Sequence, residues 1–250
     1  DDAIEIKIYR TTGDRIQSRP LAEIGGKGLF TKEIEEALLD GSADIAVHSM
    51  KDVPTELPDG LALDTFLPRE DPRDALISLV AGSMAELPIG ARIGTGSLRR
   101  RAILLSARPD LRIEPLRGNV GTRLDRIRQG DFDATLLAVA GLNRLGMAGA
   151  ETTPIDPDDM LPATCQGAIG IECREDDPDT RTLLTALNDP ATAVCILAER
   201  AFLGALDGSC RTPIAGLATL SGGRVSLRGL IVRPDGSETL AAQNDAPSAD

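Results

Sequence analysis

Between Arg92 and Arg128 the chain carries ten arginines, no lysine and three acids, Asp110, Glu114 and Asp125. That window holds a charge of +7 inside a chain whose net charge is −12. Guanidinium is planar, permanently charged and able to grip a carboxylate or phosphate through two parallel hydrogen bonds. A merely solvated basic face would use lysine as well, so the window is expected to meet a ligand with several negative groups. Within it, Thr95–Arg101 (TGSLRRR) reads as the turn from a strand into a helix, with Ser97 as N-cap. The first free amides and the positive end of that helix then suit an anion, flanked by Arg99 and Arg100. Leu116–Arg123 (LRGNVGTR) repeats strand, glycine turn and helix, and contributes Arg117, Gly118 and Arg123. Taken singly, each arginine has a plainer reading as the partner of a surface acid.

A second group lies in His48–Pro54 (HSMKDVP). Asp52 beside Lys51, just past a strand, suits a carboxylate that stabilises a cation or moves a proton; it equally suits a turn before Val53-Pro54. His48 is the only histidine. That excludes a two-histidine metal site and leaves it as a core or supporting residue. The cysteines 165, 173, 195 and 210 form no Cys-x-x-Cys pair, which argues against structural zinc. Cys210 stands on a turn, Asp207–Pro213 (DGSCRTP), beside Arg211, where a cation favours the thiolate. The other three read as packing residues. Gly25–Phe30 (GGKGLF) matches neither GxxxxGK[ST] nor GxGxxG and carries no nucleotide assignment.

These residues need elements to hold them. Strands are expected at Ile4–Tyr9, Asp44–His48, Leu61–Leu67, Ala75–Val80, Ala91–Gly94, Leu111–Leu116, Ala134–Ala140, Gly167–Cys173, Ile214–Leu220 and Arg224–Val232. Helices are expected at Lys32–Leu39, Leu98–Ala107, Val120–Gln129, Thr180–Leu187 and Thr192–Leu206, with Ala148–Pro162 as loop. The alternation implies an α/β fold with mainly parallel sheets, whose carboxyl edges bind ligands. The Pro- and charge-rich link Pro68–Arg73 suggests one domain boundary, and the change of pattern over the last ~60 residues another.

The aromatic content of 2%, without tryptophan, and the acidic balance speak against a nucleic-acid surface. No apolar run approaches the ~20 residues of a membrane span, and no signal peptide is visible. The chain starts at Asp1-Asp2 without methionine, so a cut or renumbered N-terminus is expected.

Together these segments resemble the porphobilinogen deaminase family. The matching residues are Gly25–Phe30, Asp44–Pro54, Arg69–Asp74, Gly94–Arg100, Leu116–Leu124, Leu137–Leu142, Gln166–Ala168 with Ile171-Glu172, and Gly208–Cys210. The resemblance implies two domains of the type II periplasmic-binding-protein kind with a cleft between them, plus a small α+β C-terminal domain. Residues 1–67 and 167–187 would form domain 1, residues 73–162 the arginine-rich domain 2, and residues 190–250 domain 3. It implies a covalent dipyrromethane cofactor on Cys210 and a catalytic Asp52. Lys51, Ser97, Arg99, Arg100, Arg117 and Gly118 would bind the cofactor; Arg117, Arg123, Arg144, Gln166 and Phe30 would bind substrate. With Arg99, Arg100, Arg117 and Arg123 thus set aside for ligand, Arg92, Arg101, Arg108, Arg112, Arg126 and Arg128 are expected to be surface or structural residues. The activity implied is the head-to-tail condensation of four porphobilinogen molecules, with loss of ammonia and release of hydroxymethylbilane. A cytoplasmic monomer, without metal, nucleic acid or membrane, is expected. The family's opening strand, with an Arg-x-Ser-x-Leu-Ala type motif, is matched nowhere here, and its third domain extends past Asp250. A chain trimmed at both ends is therefore expected. Cys165 stands where the family usually has glycine. The competing reading is a non-catalytic anion-binding protein of the periplasmic type, which would need neither Asp52 nor Cys210.

Overall fold

The computed structural model describes residues 4–9, 11, 30–149, 152–206, 208 and 212–248. The described strands form three sheets. In the first, β1 (Ile45–Ser49), β8 (Ile169–Arg174) and β2 (Leu61–Phe66) lie in the order β1-β8-β2, all antiparallel. Helix α1 (Lys32–Leu39) covers one face through Leu38 against Ala46 and Leu61. Helix α5 (Pro178–Thr185) covers the other through Leu184 against Ile171 and Cys173.

The second sheet has five strands in the order β5-β4-β6-β3-β7. They are β3 (Asp74–Ser78), β4 (Arg92–Gly94), β5 (Arg112–Glu114), β6 (Ala134–Ala138) and β7 (Thr152–Pro154). Period-two alternation divides its core. Leu76, Ile93 and Leu136 meet Ile103 and Leu104 of α2 (Leu98–Ala107) on one face. Ala75, Ile77 and Leu137 meet Leu124 and Ile127 of α3 (Val120–Arg128) and Leu142 of α4 (Val139–Leu145) on the other. A third, antiparallel sheet runs β11-β10-β9, from β9 (Ile214–Ser221), β10 (Arg224–Val232) and β11 (Thr239–Pro247). Ala215, Leu217 and Val232 join the same core as α2, so the third sheet is seated on the arginine helix.

Several expectations are corrected. Parallel pairing is confined to β5-β4-β6; β3 and β7 are antiparallel, as is the whole first sheet. The strand expected to reach Ala140 ends at Ala138 and becomes α4. A continuous apolar run has no period that separates a buried strand from a buried helix. The loop 148–162 contains β7, an edge strand that tolerates Pro154. β11, with every residue exposed, shows no apolar alternation, and its register from Val232↔Thr239 to Arg224↔Pro247 comes from β10 alone. Ile4–Tyr9 forms no strand pairing among the described residues, and Ile4, Ile6 and Ile8 are exposed.

The first and third sheets meet around helix α6 (Pro190–Ala205). Its Glu199 is fully buried and accepts from Arg69 Nη1 at 2.6 Å, Arg69 Nη2 at 3.2 Å, the amide of Ala218 at 2.7 Å and the amide of Cys165. One carboxylate thus ties α6 to the outgoing link at Arg69, the returning chain at Cys165 and the third sheet. Removing one partner of such a buried pair leaves an uncompensated charge. Glu199→Ala is expected to lower the unfolding free energy by about 3–5 kcal/mol in urea titrations; a loss below about 1 kcal/mol would show that the hub is dispensable.

Candidate active site

The arginine helix α2 begins as its sequence requires. Ser97 Oγ accepts from the Arg100 amide at 3.3 Å, so Ser97 is the N-cap, and Asn119 caps α3 through the Thr122 amide at 2.8 Å. Gly118, at φ +117°, turns the chain between Arg117 and that cap in a conformation side-chain-bearing residues avoid. The two turns aim Arg99, Arg100, Arg117 and Arg123 toward one region.

Their partners divide them. Asp74, the first residue of β3, has no exposed surface. It accepts from Arg99 Nη2 at 2.6 Å, from Arg100 Nη2 at 2.7 Å and Nε at 3.3 Å, and from Gln166 Nε2 at 3.0 Å. Arg99 Nη1 also donates to Leu161 O and Arg100 Nη1 to Leu136 O, each at 2.8 Å, and Gln166 Nε2 donates to Pro72 O at 2.8 Å. Arg99, Arg100 and Gln166, expected as ligand contacts, are therefore buried residues that donate to protein from both Arg99 Nη atoms, from Nε and both Nη atoms of Arg100, and from Gln166 Nε2. Burial alone would raise the Asp74 carboxyl. The charges of Arg100 and Arg99, with hydrogen bonds from Arg100 and Gln166, outweigh it and hold the group well below the usual carboxylate range.

The cluster keeps an excess of positive charge. Arg123 is half-buried, its Nε donating to Gly118 O at 2.8 Å. Burial, then the charges of Arg100 and Arg117, push its pKa down to about 10. Like-charge crowding of this kind is relieved by an anion. Lys51 adjoins the same group: burial lowers its pKa and so do Arg100 and Arg99, while Asp52 and Asp74 act in the opposite sense. Asp52 itself is exposed, at the end of the short 3-10 turn Met50–Asp52 that follows β1. That turn is fixed on both sides. The Met50 amide donates to Ala168 O at 3.1 Å, and Arg200 Nη2 from α6 donates to Pro54 O at 2.8 Å and Thr55 O at 3.1 Å.

Not every expected residue joins. Arg144 is exposed and donates to Gly167 O at 2.8 Å, on the returning link. Phe30 is half-buried in the turn before α1. Cys210 and Gly25–Gly28 lie outside the described residues. Four of the arginines read as surface residues pair with nearby acids: Arg92 with Glu114, Arg108 with Asp110, Arg126 with Asp131 and Arg128 with Asp125. Cys165 takes φ +62°, and its buried thiol is pushed upward by burial and by Glu199, away from nucleophile chemistry. Cys173 and Cys195 are buried too, consistent with packing. Asp74 and Glu172 fall in segments that carry the family resemblance but receive no role from the sequence, and Glu199 is not marked at all. The available signal was an acid at the head of an apolar strand and a glutamate inside the apolar helix CILAERAFL.

Asp74 makes the site sensitive to acid in one direction. Its folded pKa is depressed, so its contribution is complete above the unfolded carboxyl value of about 4 and is lost as pH falls toward the folded value. Asp74→Asn is expected to be less stable than wild type by about 3 kcal/mol or more at pH 7, the gap narrowing below about pH 4. Urea unfolding at both pH values measures this; a gap that is constant with pH contradicts the assignment.

Similarity to known proteins bears on this geometry. The family model "Porphobilinogen deaminase, dipyromethane cofactor binding domain" matches residues 1–182, and the family's C-terminal domain model matches residues 193–248. Porphobilinogen deaminase of Paracoccus denitrificans is 57% identical over 249 residues, covering 100% of this chain and 80% of that protein. The chloroplastic porphobilinogen deaminase of Oryza sativa is 53% identical over 248 residues, covering 99% and 69%. Among solved structures, the periplasmic aliphatic sulphonate binding protein SsuA of Escherichia coli is 16% identical with a TM-score of 0.41, covering 70% of this chain and 57% of that one. The two family models between them take in both the arginine turns with Asp52 and the segment of Cys210, and on their match and the identity to those relatives the chain belongs to the porphobilinogen deaminase family.

Proposed function

We propose that Asp52 is the catalytic carboxylate, that Arg117 and Arg123 are the principal carboxylate ligands, and that Cys210 anchors the dipyrromethane. The enzyme is a transferase of tetrapyrrole biosynthesis that condenses four porphobilinogen molecules on a dipyrromethane primer and releases ammonia and hydroxymethylbilane. Membership of that family sets aside the reading as a non-catalytic anion-binding protein. The observation that carries the site assignment is the uneven charge balance. Asp74 binds Arg99 and Arg100, while Arg117, Arg123 and Lys51 add further positive charge around it. Such a donor set fits a group bearing several carboxylates. When bound, the dipyrromethane supplies the nucleophilic α-carbon and the tether for the growing chain.

The protein's own residues have separable tasks. Arg117 and Arg123 grip acetate and propionate arms, each charged hydrogen bond contributing roughly 1.5–3 kcal/mol. Ser97, as the cap, leaves the amides of the first turn of α2 toward the same region. Gly118, whose Cβ would crowd Thr122 Cγ2 at 3.0 Å, lets the chain turn so that Arg117 and Arg123 stand on one side. Arg99 and Arg100 supply charge from beneath, together with whatever donors Asp74, Leu136 and Leu161 leave over. Lys51 adds a positive charge beside Asp52, and Gln166 and Arg144 hold the returning link that frames the cleft.

Departure of ammonia from porphobilinogen leaves positive charge on the substrate's pyrrole nitrogen. The exposed carboxylate of Asp52 stabilises that charge before and after carbon–carbon bond formation, and water ends the sequence by hydrolysis. A monomer acting in the cytoplasm, on a small-molecule substrate and without nucleic acid or membrane, completes the proposal. No helix among the described residues is long and apolar enough to cross a membrane.

Asp52→Asn is expected to lower kcat by about 100-fold or more. Its intact mass after denaturation should still include the dipyrromethane, an addition absent from Cys210→Ser. Ordinary turnover in Asp52→Asn would reduce Asp52 to a turn residue, and an unmodified mass in active wild-type protein would remove the Cys210 assignment. Arg123→Leu is expected to raise KM for porphobilinogen by about tenfold or more; an unchanged KM would exclude it as a ligand.

A further inference from the structure

The chain on either side of Asp52 is held in two different ways. Before its turn, β1 is tied to β8: His48 Nε2 lies 2.8 Å from Glu172 Oε2, and the Met50 amide donates to Ala168 O at 3.1 Å. After the turn, residues 53–60 lie outside helix and strand, and Pro54 and Pro58 carry no amide hydrogen to donate. Placement of this second segment falls to α6.

That helix presents one row of residues to the segment. Ile196, Arg200 and Gly204 are spaced by four and so share a face. Ile196 is fully buried in one cluster with Met50 and Val53, which flank Lys51 and Asp52. Arg200, half-buried, donates from Nη2 to Pro54 O at 2.8 Å and to Thr55 O at 3.1 Å. Hydrogen bonds from a guanidinium are roughly twice as strong as neutral ones. Gly204 lets the helix backbone close on Thr55, whose Cβ would stand 3.8 Å from a Cβ at 204. The same helix is fixed to the rest of the fold by Glu199, through Arg69 and the amides of Cys165 and Ala218. It ends at Ala205, the Gly208 amide folds back onto Leu203 O at 2.9 Å, and Cys210 follows in the sequence.

We propose that Arg200 is a clamp that sets Asp52 at a fixed distance from the cofactor's tether. α6 is the common reference: Arg200 fastens the Asp52 turn to its side, and its C-terminal end leads to the anchor at Cys210. Arg200 is on this account a positioning residue, which touches neither substrate nor cofactor and acts through the carbonyls of Pro54 and Thr55. The role rests on the reading of Asp52 as the charge-stabilising carboxylate and of Cys210 as the anchor. Displacing a catalytic group by about an ångström costs on the order of 100-fold in rate. The carboxylate ligands Arg117 and Arg123 stay in place, so the loss falls on kcat rather than on KM.

The test uses the cofactor-loaded enzyme, with porphobilinogen turnover resolved into kcat and KM. Arg200→Met keeps the aliphatic stem and removes the donors. It is expected to lower kcat about tenfold or more, with KM changed less than about threefold and the cofactor mass retained. Arg200→Lys, a point charge of shorter reach, is expected to recover part of that loss. Unchanged kcat in Arg200→Met, an effect confined to KM, or loss of the cofactor mass overturns the clamp. If Arg200→Met does not fold, Arg200→Gln decides. A kcat reduced at least about threefold at constant KM supports the proposal, and wild-type kcat refutes it. Repeating Arg200→Met in the Asp52→Asn background tests the route through Asp52. Residues that act through one another are not additive, so the added loss there is expected to stay below about threefold, and a further loss of about tenfold overturns the proposal. Asp52→Asn alone separates the two claims. Ordinary turnover there removes the reading of Asp52 itself, whereas an inactive Asp52→Asn beside a fully active Arg200→Met removes the clamp alone.

Discussion

One carboxylate without exposed surface, Asp74, holds two guanidiniums and a carboxamide at the head of a buried strand. Taking a carboxylate out of water costs several kcal/mol, and only close, hydrogen-bonded cations offset it. Arg99 and Arg100 supply those cations, but at the cost of their own desolvation, so neither side of the cluster is stable without the other. From Asp74 the contacts continue without a break. Gln166 donates to Asp74, its carbonyl accepts from Arg69 Nε at 2.9 Å, Arg69 binds Glu199, and Glu199 accepts from the third sheet at Ala218. The arginine helix, both links between the first two sheets and the third sheet therefore share one buried polar network. Such a network is rigid when every member is satisfied.

That rigidity is what an electrostatic site needs. Charges fixed by the fold stabilise a reacting group without reorganising when it arrives. A net charge of −12 does not prevent the chain from holding a polyanion, because the local field of Arg117, Arg123 and Lys51 acts at short range. Asp74 and Asp52 show how environment separates two like groups. Asp74 is buried between arginines, while Asp52 is exposed on a turn.

The local features of this arrangement were legible in the sequence. Ser97 before a helix, glycine at 118 before Asn119, and the helices at 32–39 and 98–107 follow from cap and turn chemistry within a few residues. The short arginine-rich strings and HSMKDVP were sufficient to mark the family. The hubs were not legible, because their partners are remote. Arg69 and Glu199 lie 130 residues apart, and His48 and Glu172 lie 124 apart. For the same reason the sequence shows Arg99 and Arg100 as candidate ligand contacts but not the distant Asp74 that engages them. The expectation of mainly parallel sheets fails in the first sheet because its central strand, β8, is supplied by the chain only after it has crossed the whole second sheet.

The central claim is that a fixed arginine cluster and an exposed aspartate face the same pyrrole chain. A crystal structure of the cofactor-loaded enzyme tests it most directly. The account predicts pyrrole carboxylates within hydrogen-bond distance of Arg117 and Arg123, Asp52 turned to the pyrrole nitrogens, and Asp74 still holding Arg99 and Arg100. Pyrrole carboxylates bound away from these arginines, with Asp52 facing solvent, would contradict it.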